Sequence, residues 1–513
     1  MFFFVLFLWR APVVCLDVDG QVVRINQNTT KRDSRFTVPL EQAVAWYEAY
    51  DRFLRLAHDE IVEFKTRPGD VYVFNNLRML HGRKTYEDSP QNKRHLVGAY
   101  VDWDIIYPSR TPRFPQRPGM SSKMARLASP SIVEINEADG QRLKYPQVWL
   151  RDNCQCTECF HAPTRARKSH WERGPLHVGA QRVSYDEQRQ QLQVDWQDEH
   201  KSVYQLQWLR ERDFGDAARQ RYLEEVYRPP VQLWGKTQFK DVSREFDYQN
   251  VLDQDEVLKD WLEALAVQGF ALLRNAPDDV NVARRLAERI GYIKRTTYGD
   301  VFEVKSKPNA GNYAYLMMPL PLHKDMPYYE YKAGINILHT LFQSESAGGA
   351  NTLVDGFHVA DEMRRLYPQE FELLRSVPVN WYDIGHDGDH AQPFHSLWRA
   401  HVVCLDVDGQ VVRINQNTTK RDSRFTVPLE QAVAWYEAYD RFLRLAHDEI
   451  VEFKTRPGDV FVFNNLRMLH GRTAYEDSPQ NKRHLVGAYV DWDIIYSKLR
   501  TLRFPQAQEC HQK

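Results

Sequence analysis

Asn464-Asn465-Leu466-Arg467-Met468-Leu469-His470-Gly471-Arg472 is the stretch from which the rest of the chain is read. It follows the turn Pro457-Gly458-Asp459 and the apolar run Val460-Phe461-Val462-Phe463, which together read as a turn feeding a buried strand. His470 then stands at the end of a strand. Far upstream lies His323-Lys324-Asp325. In an extended segment, residues two apart leave the same face, so His323 and Asp325 can grip one metal together. A His-x-Asp followed far downstream by a single His is the spacing of a 2-His-1-carboxylate facial triad, which holds non-heme Fe(II) and leaves positions open. A lone His-x-Asp arises by chance in a chain of this size. It gains weight from His470-Gly471-Arg472 and from Arg483, because an arginine at the end of a barrel strand can take a carboxylate bidentately.

The same stretch occurs twice. Leu8–Tyr107 reappears as Leu397–Tyr496 with only Pro12/His401, Tyr72/Phe461, Lys84/Thr473 and Thr85/Ala474 exchanged. The first copy carries His81 and Arg94 but has no His-x-Asp upstream of it. Solenoid repeats run about 20–50 residues, stack at least about three deep and drift in sequence, so this is a duplication and not a solenoid. Between the copies lies the proline-rich Thr111–Pro118, a linker composition, followed by Met120 and Met124. Residues 125–513 are therefore expected to form the working unit. The front copy holds half a barrel's strands, which cannot bury both faces. It is expected to be absent from the native protein, to be poorly packed, or to swap with its twin so that His81 and Arg94 replace His470 and Arg483.

The 513 residues carry a net charge of −1, with 42% hydrophobic and 27% charged. That balance is ordinary for a globular protein of two or three domains and gives no reason to expect nucleic acid or a membrane as partner. Met1–Trp9 is apolar but far short of the ~20 residues that span a bilayer. It lacks a basic n-region and a clean cleavage site, so a cytoplasmic location is expected. Among the six cysteines, Cys154, Cys156 and Cys159 sit within one turn. Three soft thiolates so placed need one more ligand to close a tetrahedral zinc shell. His161 is near in sequence, and His200 is preferred because it would pin a strand to the loop. The bland alternative is three reduced, inert thiols.

Short alternating runs between Tyr145 and Tyr204 predict a small antiparallel β module. Glu256–Gln268 and Val280–Ile290 predict amphipathic helices on either side of a buried strand at Gly269–Arg274. Strands are predicted at Ala333–Leu341, Thr352–Asp355, Val460–Phe463 and His484–Tyr489. Leu429–His447 is predicted as a helix, with Leu429, Val433, Tyr436 and Leu443 on one stripe. The pattern suggests a mainly β sandwich or barrel with peripheral helices. His386-Asp387-Gly388-Asp389-His390 reads as a solvated loop, and His58-Asp59-Glu60 and His447-Asp448-Glu449 as exposed helix ends.

At this point the residues meet a known family. From about Met124 to Phe504 the chain resembles the gamma-butyrobetaine dioxygenases of carnitine biosynthesis. The resemblance is carried by W-L-R-D-N-C-x-C-x-x-C at Trp149–Cys159, V-D-G-F at Val354–Phe357, Q-V-V-R-I-N at Gln410–Asn415, the Asn464–Arg472 stretch, and R-H-L-V-G-A-Y-V-D-W-D at Arg483–Asp493. It implies a double-stranded β-helix (jelly-roll) catalytic domain behind a small zinc-binding β domain, and a homodimer. The expected division is a partial duplicate with its linker at 1–118, the zinc-binding domain at 125–225, and the oxygenase domain at 226–506.

The resemblance further implies His323, Asp325 and His470 as iron ligands and Arg483 as the partner of 2-oxoglutarate. It implies Cys154, Cys156, Cys159 and His200 as the zinc set. Tyr298, Phe302, Tyr315 and Tyr489 match an aromatic cage for a trimethylammonium group, which cannot donate hydrogen bonds and suits ring faces. Asn312 and Asn417 match residues that bind the substrate carboxylate. Phe302 stands where Trp is expected, and Lys324 where Thr is usual, with its side chain expected to face away from iron. The implied reaction uses Fe(II), 2-oxoglutarate and O2, with ascorbate as reductant, to hydroxylate gamma-butyrobetaine to L-carnitine. The alternatives are a trimethyllysine hydroxylase, or an inactive, zinc-stabilised binding protein.

Overall fold

The computed structural model describes residues 12–17, 20–84, 86–87, 89–90, 93–102, 132–137, 142–168, 178–307, 312–385, 393–406, 408–478 and 480–505. Met1–Trp9, Thr111–Pro118, Met120, Met124, the His386–His390 cluster and Cys510 lie outside them.

The elements used below are, in chain order, the front copy's β1 (Val14–Leu16), β2 (Val22–Ile25) and α1 (Leu40–Asp59). A small module follows with β3 (Ile132–Asn136), β4 (Arg142–Pro146), α2 (Gln147–Asp152), β5 (Ala180–Asp186), β6 (Gln191–Trp196) and β7 (Lys201–Gln205). The main body begins with β8 (Glu245–Asp247), α3 (Asp255–Val267), β9 (Phe270–Arg274), α4 (Val282–Ile290) and β10 (Val301–Lys305). It continues with β11 (Leu320–His323), β12 (Ile335–Phe342), β13 (Asn351–Asp355), α5 (Gly356–Leu366), α6 (Pro368–Ser376), β14 (Val379–Gly385), β15 (Phe394–Ala400), β16 (Val403–Leu405) and β17 (Val411–Ile414). It closes with α7 (Leu429–Asp448), β18 (Val451–Phe453), β19 (Val460–Asn464), β20 (Met468–Arg472), β21 (His484–Val490) and α8 (Trp492–Arg503).

Two sheets build the main body. The larger runs β8-β9-β19-β12-β21-β10 and the smaller β11-β20-β13-β18. All pairs are antiparallel except β8 with β9. Period-2 alternation assigns the two faces of the larger sheet. Ala271, Leu273, Val460, Val462, Ile335 and Ile337 point outward into a cluster with α3, α4 and α8. Phe270, Leu272, Phe461 and Phe463 point inward, where they meet Leu353 and Val451 of the smaller sheet. The outer face is as apolar as the inner one, so it too must be covered. Leu258, Trp261, Leu262 and Leu265 of α3 recur at helical spacing and do so. The fold is consequently a mixture of helix and sheet, more helical than the mainly β reading anticipated.

The chain crosses between the sheets at Asn464–Met468. Arg467, fully buried, fixes that crossing. Its Nε and Nη2 donate to the two carboxylate oxygens of Asp355 at 2.9 and 2.7 Å, and Nη1 donates to the carbonyl of Val267 at 2.8 Å. Asp355 also caps α5 by accepting from the Phe357 N–H.

The front copy repeats its twin only in part. The β1–β2 hairpin has the register of β16–β17, with Val14↔Ile25 matching Val403↔Ile414. Helix α1 also forms. Residues 61–84 and 93–102, however, contain no strand. Val62, Val73 and Val97 are 83, 91 and 90% exposed, whereas their twins Val451, Val462 and Val486 are buried. The twins pair with β13, β9, β12 and β10, and each of those strands has already given its edge to the second copy.

The identical helices α1 and α7 bury different faces. In α7 the buried residues are Trp435, Ala438, Tyr439, Phe442 and Ala446. Of the stripe noted in the sequence, Leu429, Val433 and Tyr436 are exposed, while Leu443 is half-buried against the core. The larger aromatic face outcompetes it for the barrel. In α1 that face is the buried one: Ala43, Val44 and Tyr47 are buried, and Ala43 and Tyr47 pack in one cluster with Tyr145, Trp149 and Phe214 of the small module. No helix among the described residues is long and apolar enough to cross a membrane.

Hydrogen exchange read by mass spectrometry tests this asymmetry, because Tyr72/Phe461 and Lys84/Thr473 give the two copies different peptide masses. Peptides over 61–84 are expected to exchange within seconds, while those over Val460–Asn464 persist until global unfolding. Equal protection in both copies would refute it.

Candidate functional site

His323 and His470 are direct cross-strand partners in the β11–β20 pair, which places their side chains side by side. Their ring centroids are 4.2 Å apart. Asp325 follows β11 and turns its Oδ1 to 3.3 Å from His323 Nε2 and 3.7 Å from His470 Nε2. The three ligand atoms lie within 4.8 Å of one another. Asn465, in the crossing turn, holds the Asp325 backbone from both sides. Its Oδ1 accepts from the Asp325 N–H at 3.0 Å and its Nδ2 donates to the Asp325 carbonyl at 3.1 Å.

Neighbouring groups set the charge and orientation of all three. His323 Nδ1 lies 2.9 Å from the carbonyl of Pro321, which can only accept, so Nδ1 carries the proton and Nε2 presents a lone pair. Asp325 Oδ2 accepts from Asn336 Nδ2 at 2.7 Å and from Tyr489 OH at 3.0 Å, leaving Oδ1 aimed at the histidines. Burial opposes the charge on Asp325, yet His470, His323 and Tyr489 hold its carboxyl well below the usual range. Burial and the neighbouring His323 push the His470 imidazole down to about 3, so it stays neutral. Two imidazoles and one carboxylate with an open side are a donor set for a divalent transition metal.

A cavity between the sheets opens above this cluster. Arg483 lines it from the start of β21, buried, with Nη2 donating to Asn351 Oδ1 at 3.2 Å. Among the described residues it has no carboxylate partner. Burial and nearby Arg472 push its guanidinium down to about 9. Arg472 is held otherwise, by the carbonyls of Ala314, Leu316 and Met318.

A second cluster lies in the small module. His200, in the β6–β7 turn, presents Nε2 to Cys154, Cys156 and Cys159 at 3.3, 3.7 and 3.5 Å. Bond lengths of ~2.3 Å to sulfur and ~2.0 Å to nitrogen put tetrahedral S···N edges at about 3.5 Å, which these distances match. His161 instead bonds Thr164 Oγ1 and takes no part. Hydrogen bonding from Cys159, together with that from His200, pulls the Cys154 thiol below its usual range.

Segments of the chain match two known protein families. The family described as "Taurine catabolism dioxygenase TauD, TfdA family" matches residues 7–100 and 227–489, and "Gamma-butyrobetaine hydroxylase-like, N-terminal" matches 127–210. Gamma-butyrobetaine dioxygenase of Homo sapiens is 36% identical over 384 residues, which is 74% of this chain and 97% of that protein. The chain belongs to the gamma-butyrobetaine dioxygenase family. The like-named protein of Pseudomonas sp. (strain AK-1) is 31% identical over 74% of this chain and 97% of its own length. Trimethyllysine dioxygenase of Bos taurus is 29% identical over 70% of this chain and 83% of its own length. Among solved structures, the non-heme iron oxygenase OrfP with Fe and alpha-ketoglutaric acid aligns over 48% of this chain and 83% of its own, at 13% identity and a TM-score of 0.36.

The structure of this dioxygenase-family member gathers the remaining predicted residues around the same cavity. Phe302 stacks on Tyr489 with centroids 4.8 Å apart, in room left by Gly487, where an added Cβ would meet the Phe302 ring at 2.3 Å. Tyr298 OH donates to Asp383 Oδ2 at 3.1 Å and accepts from Asn312 Nδ2 at 3.1 Å. Tyr315 is buried, and the Lys307 ammonium sits 4.0 Å over its ring. Asn417 donates to the Lys324 carbonyl at 3.2 Å and caps the turn after it. Lys324, between the two donors in sequence, is buried, and its amine has no hydrogen-bond partner among the described residues. His81 and Arg94 are exposed and do not line the cavity.

Sequence reasoning missed Asn336, Asn351 and Asn465. Asn336 was discoverable as a polar position between Ile335 and Ile337, on the inward side of strand 333–341. The role of Asn465 depends on a tertiary contact that no local pattern reveals. Asn336→Ala is expected to weaken Fe(II) binding by roughly 10–100-fold, the range for losing a partner of a ligand carboxylate. Anaerobic calorimetry that found unchanged affinity would remove Asn336 from the supporting set.

Proposed function

We propose that this chain hydroxylates gamma-butyrobetaine to L-carnitine, with Fe(II) on His323, Asp325 and His470 and 2-oxoglutarate as co-substrate. The observation that carries the proposal is the convergence of that donor triad with an unpaired buried arginine and an aromatic wall in one cavity. Bound there, iron and 2-oxoglutarate supply O2 activation, with ascorbate keeping the metal reduced. Arg483 takes the distal carboxylate of the co-substrate, which relieves the cost of a buried unpaired cation. Asn351 aims the guanidinium. Tyr298, Phe302, Tyr315 and Tyr489 present ring faces to the trimethylammonium group. Asn312 and Asn417 each spend one amide N–H on the protein and keep a second for the substrate carboxylate. Held at both ends, the substrate offers one C–H to the metal. The scaffold is read as a double-stranded β-helix over residues 226–506, with a zinc-binding module over 125–225 closed by Cys154, Cys156, Cys159 and His200.

Arg483→Ala is expected to lower kcat/KM for 2-oxoglutarate by two to three orders of magnitude, ~3–4 kcal/mol for one lost buried charge pair. His470→Ala is expected to abolish carnitine and succinate formation, and His81→Ala to leave both intact. Activity surviving His470→Ala would mean that the front copy completes the site. A wild-type protein that makes no succinate with gamma-butyrobetaine or trimethyllysine would leave only a binding role.

Elemental analysis is expected to find one zinc per chain in addition to iron. Stripping it with a chelator should lower the melting temperature, whereas Cys15→Ser should change neither zinc content nor melting temperature. A zinc-free protein of unchanged stability would contradict the assignment.

A further inference from the structure

The turn after β17 brings a cation into the cavity that the metal donors and the aromatic wall do not account for. Asn417 pairs with His323 through an isolated antiparallel bridge, and Arg421 pairs in the same way with Trp381 of β14. The short turn between them, Thr418–Lys420, is thus strapped to the donor strand at one end and to β14 at the other. Lys420 lines the cavity. Its ammonium donates to Oδ1 of Asp383, a buried carboxylate on β14. Oδ2 of the same carboxylate accepts from Tyr298 OH at 3.1 Å, and that hydroxyl accepts from Asn312 Nδ2 at 3.1 Å. Lys420 therefore adjoins both amides read as ligands of the substrate carboxylate: Asn417 within its own turn, and Asn312 through Asp383 and Tyr298. An ammonium carries three donors, and among the described residues only one of them meets Asp383.

The front copy supplies an internal control. Its turn has the same sequence, and Thr30 N–H and Oγ1 donate to Asn28 Oδ1 at 3.1 and 2.8 Å, as Thr419 N–H and Oγ1 do to Asn417 Oδ1 at 3.1 and 2.8 Å. The turn is a local product of its residues. Lys31, with no Asp383 beside it, donates instead to the carbonyl of Thr164 at 2.8 Å. The direction of the Lys420 ammonium is therefore set by Asp383 and not by the turn.

We propose that Lys420 is a specificity-determining residue, whose ammonium takes the carboxylate end of the betaine substrate and rejects a substrate that bears a second cation at that end. The inference rests on the gamma-butyrobetaine reading of the site and adds to it a choice between two trimethylammonium compounds. Gamma-butyrobetaine ends in a bare carboxylate, which suits a fixed ammonium flanked by two amides. Trimethyllysine ends in a carboxylate with an α-ammonium beside it. The aromatic wall cannot separate the two, because both offer it the same trimethylammonium group. The charge at the opposite end can, and a like charge held there is the repulsive element that specificity calls for. Asp383 does not cancel it by drawing in the α-ammonium, since Lys420 holds one of its oxygens and Tyr298 the other.

Anaerobic calorimetry of the full chain loaded with Fe(II) and 2-oxoglutarate tests this with gamma-butyrobetaine, its methyl ester and trimethyllysine as probes. Lys420→Met is expected to weaken gamma-butyrobetaine by at least about tenfold, to leave the uncharged ester within about twofold, and to leave trimethyllysine unchanged or tighter. Lys420→Arg keeps the charge and should recover most of the loss, and Lys31→Met should alter none of the three affinities. Lys420→Met combined with Asp383→Asn removes both charges and keeps an acceptor for Tyr298. It is expected to show the same contrast between acid and ester, should the unpaired carboxylate of the single variant prevent folding. Equal losses for acid and ester in a folded variant would make Lys420 a scaffold residue and overturn the proposal. An unchanged affinity for gamma-butyrobetaine, or a loss confined to 2-oxoglutarate, would overturn it too while leaving the functional reading in place. A wild type that binds none of the three probes would remove that reading and the proposal with it.

Discussion

The crossing of the chain from one sheet to the other at Asn464–Met468 is the constraint on which the site depends. Arg467 anchors the crossing through Asp355 and two backbone carbonyls, all out of water. Buried ion pairs of this kind contribute little net stability against apolar replacements but cost ~3–5 kcal/mol when one partner is lost, so they fix geometry more than they add stability. Asn465, two residues earlier, passes that fixity to the Asp325 backbone. His470, three residues later, enters β20 opposite His323. One turn thereby sets the relative positions of all three metal donors, although two of them lie far away in sequence.

The duplication separates what a sequence specifies locally from what it specifies only in company. The hairpin register and the helix form in both copies, because their stabilising contacts span few residues. The strands form only where partners from the rest of the barrel are free, because β pairing satisfies backbone groups through distant segments. The same division governs how much of the site was legible. His323, Asp325, His470 and the Cys-x-Cys-x-x-Cys set were found by spacing, since their chemistry demands particular residue types at short intervals. Arg483 was singled out by its place downstream of His470-Gly471-Arg472, read as the end of a barrel strand, and by the family resemblance. The helix was legible in the sequence but its buried face was not, because α7 carries two apolar faces, and periodicity cannot say which of them meets the barrel. Asn465 and Asn351 act through contacts made by tertiary folding and left no local trace.

Charge in the cavity is unbalanced. Arg483 and Arg472 lie in it or beside it with no acid between them, both held down by burial. Their shared neighbour is the ring of Tyr475, at 5.8 and 4.7 Å. Asp325 is the one carboxylate at the metal cluster. Desolvated cations without counter-charges are costly, and a cavity built this way favours an anionic occupant before any specific contact is counted.

Tyr489 joins two halves of the cavity that are otherwise separate. Its ring lies against Phe302, and its hydroxyl holds the outer oxygen of Asp325. Displacement of the ring by an occupant on the aromatic side therefore reaches the carboxylate facing the metal donors, and tightening at the donors reaches back to the ring. Coupling of this sort is reciprocal by thermodynamic necessity. Occupancy at the two ends of the cavity is thus energetically linked through a single phenol, and the order in which ligands arrive becomes a property of that side chain.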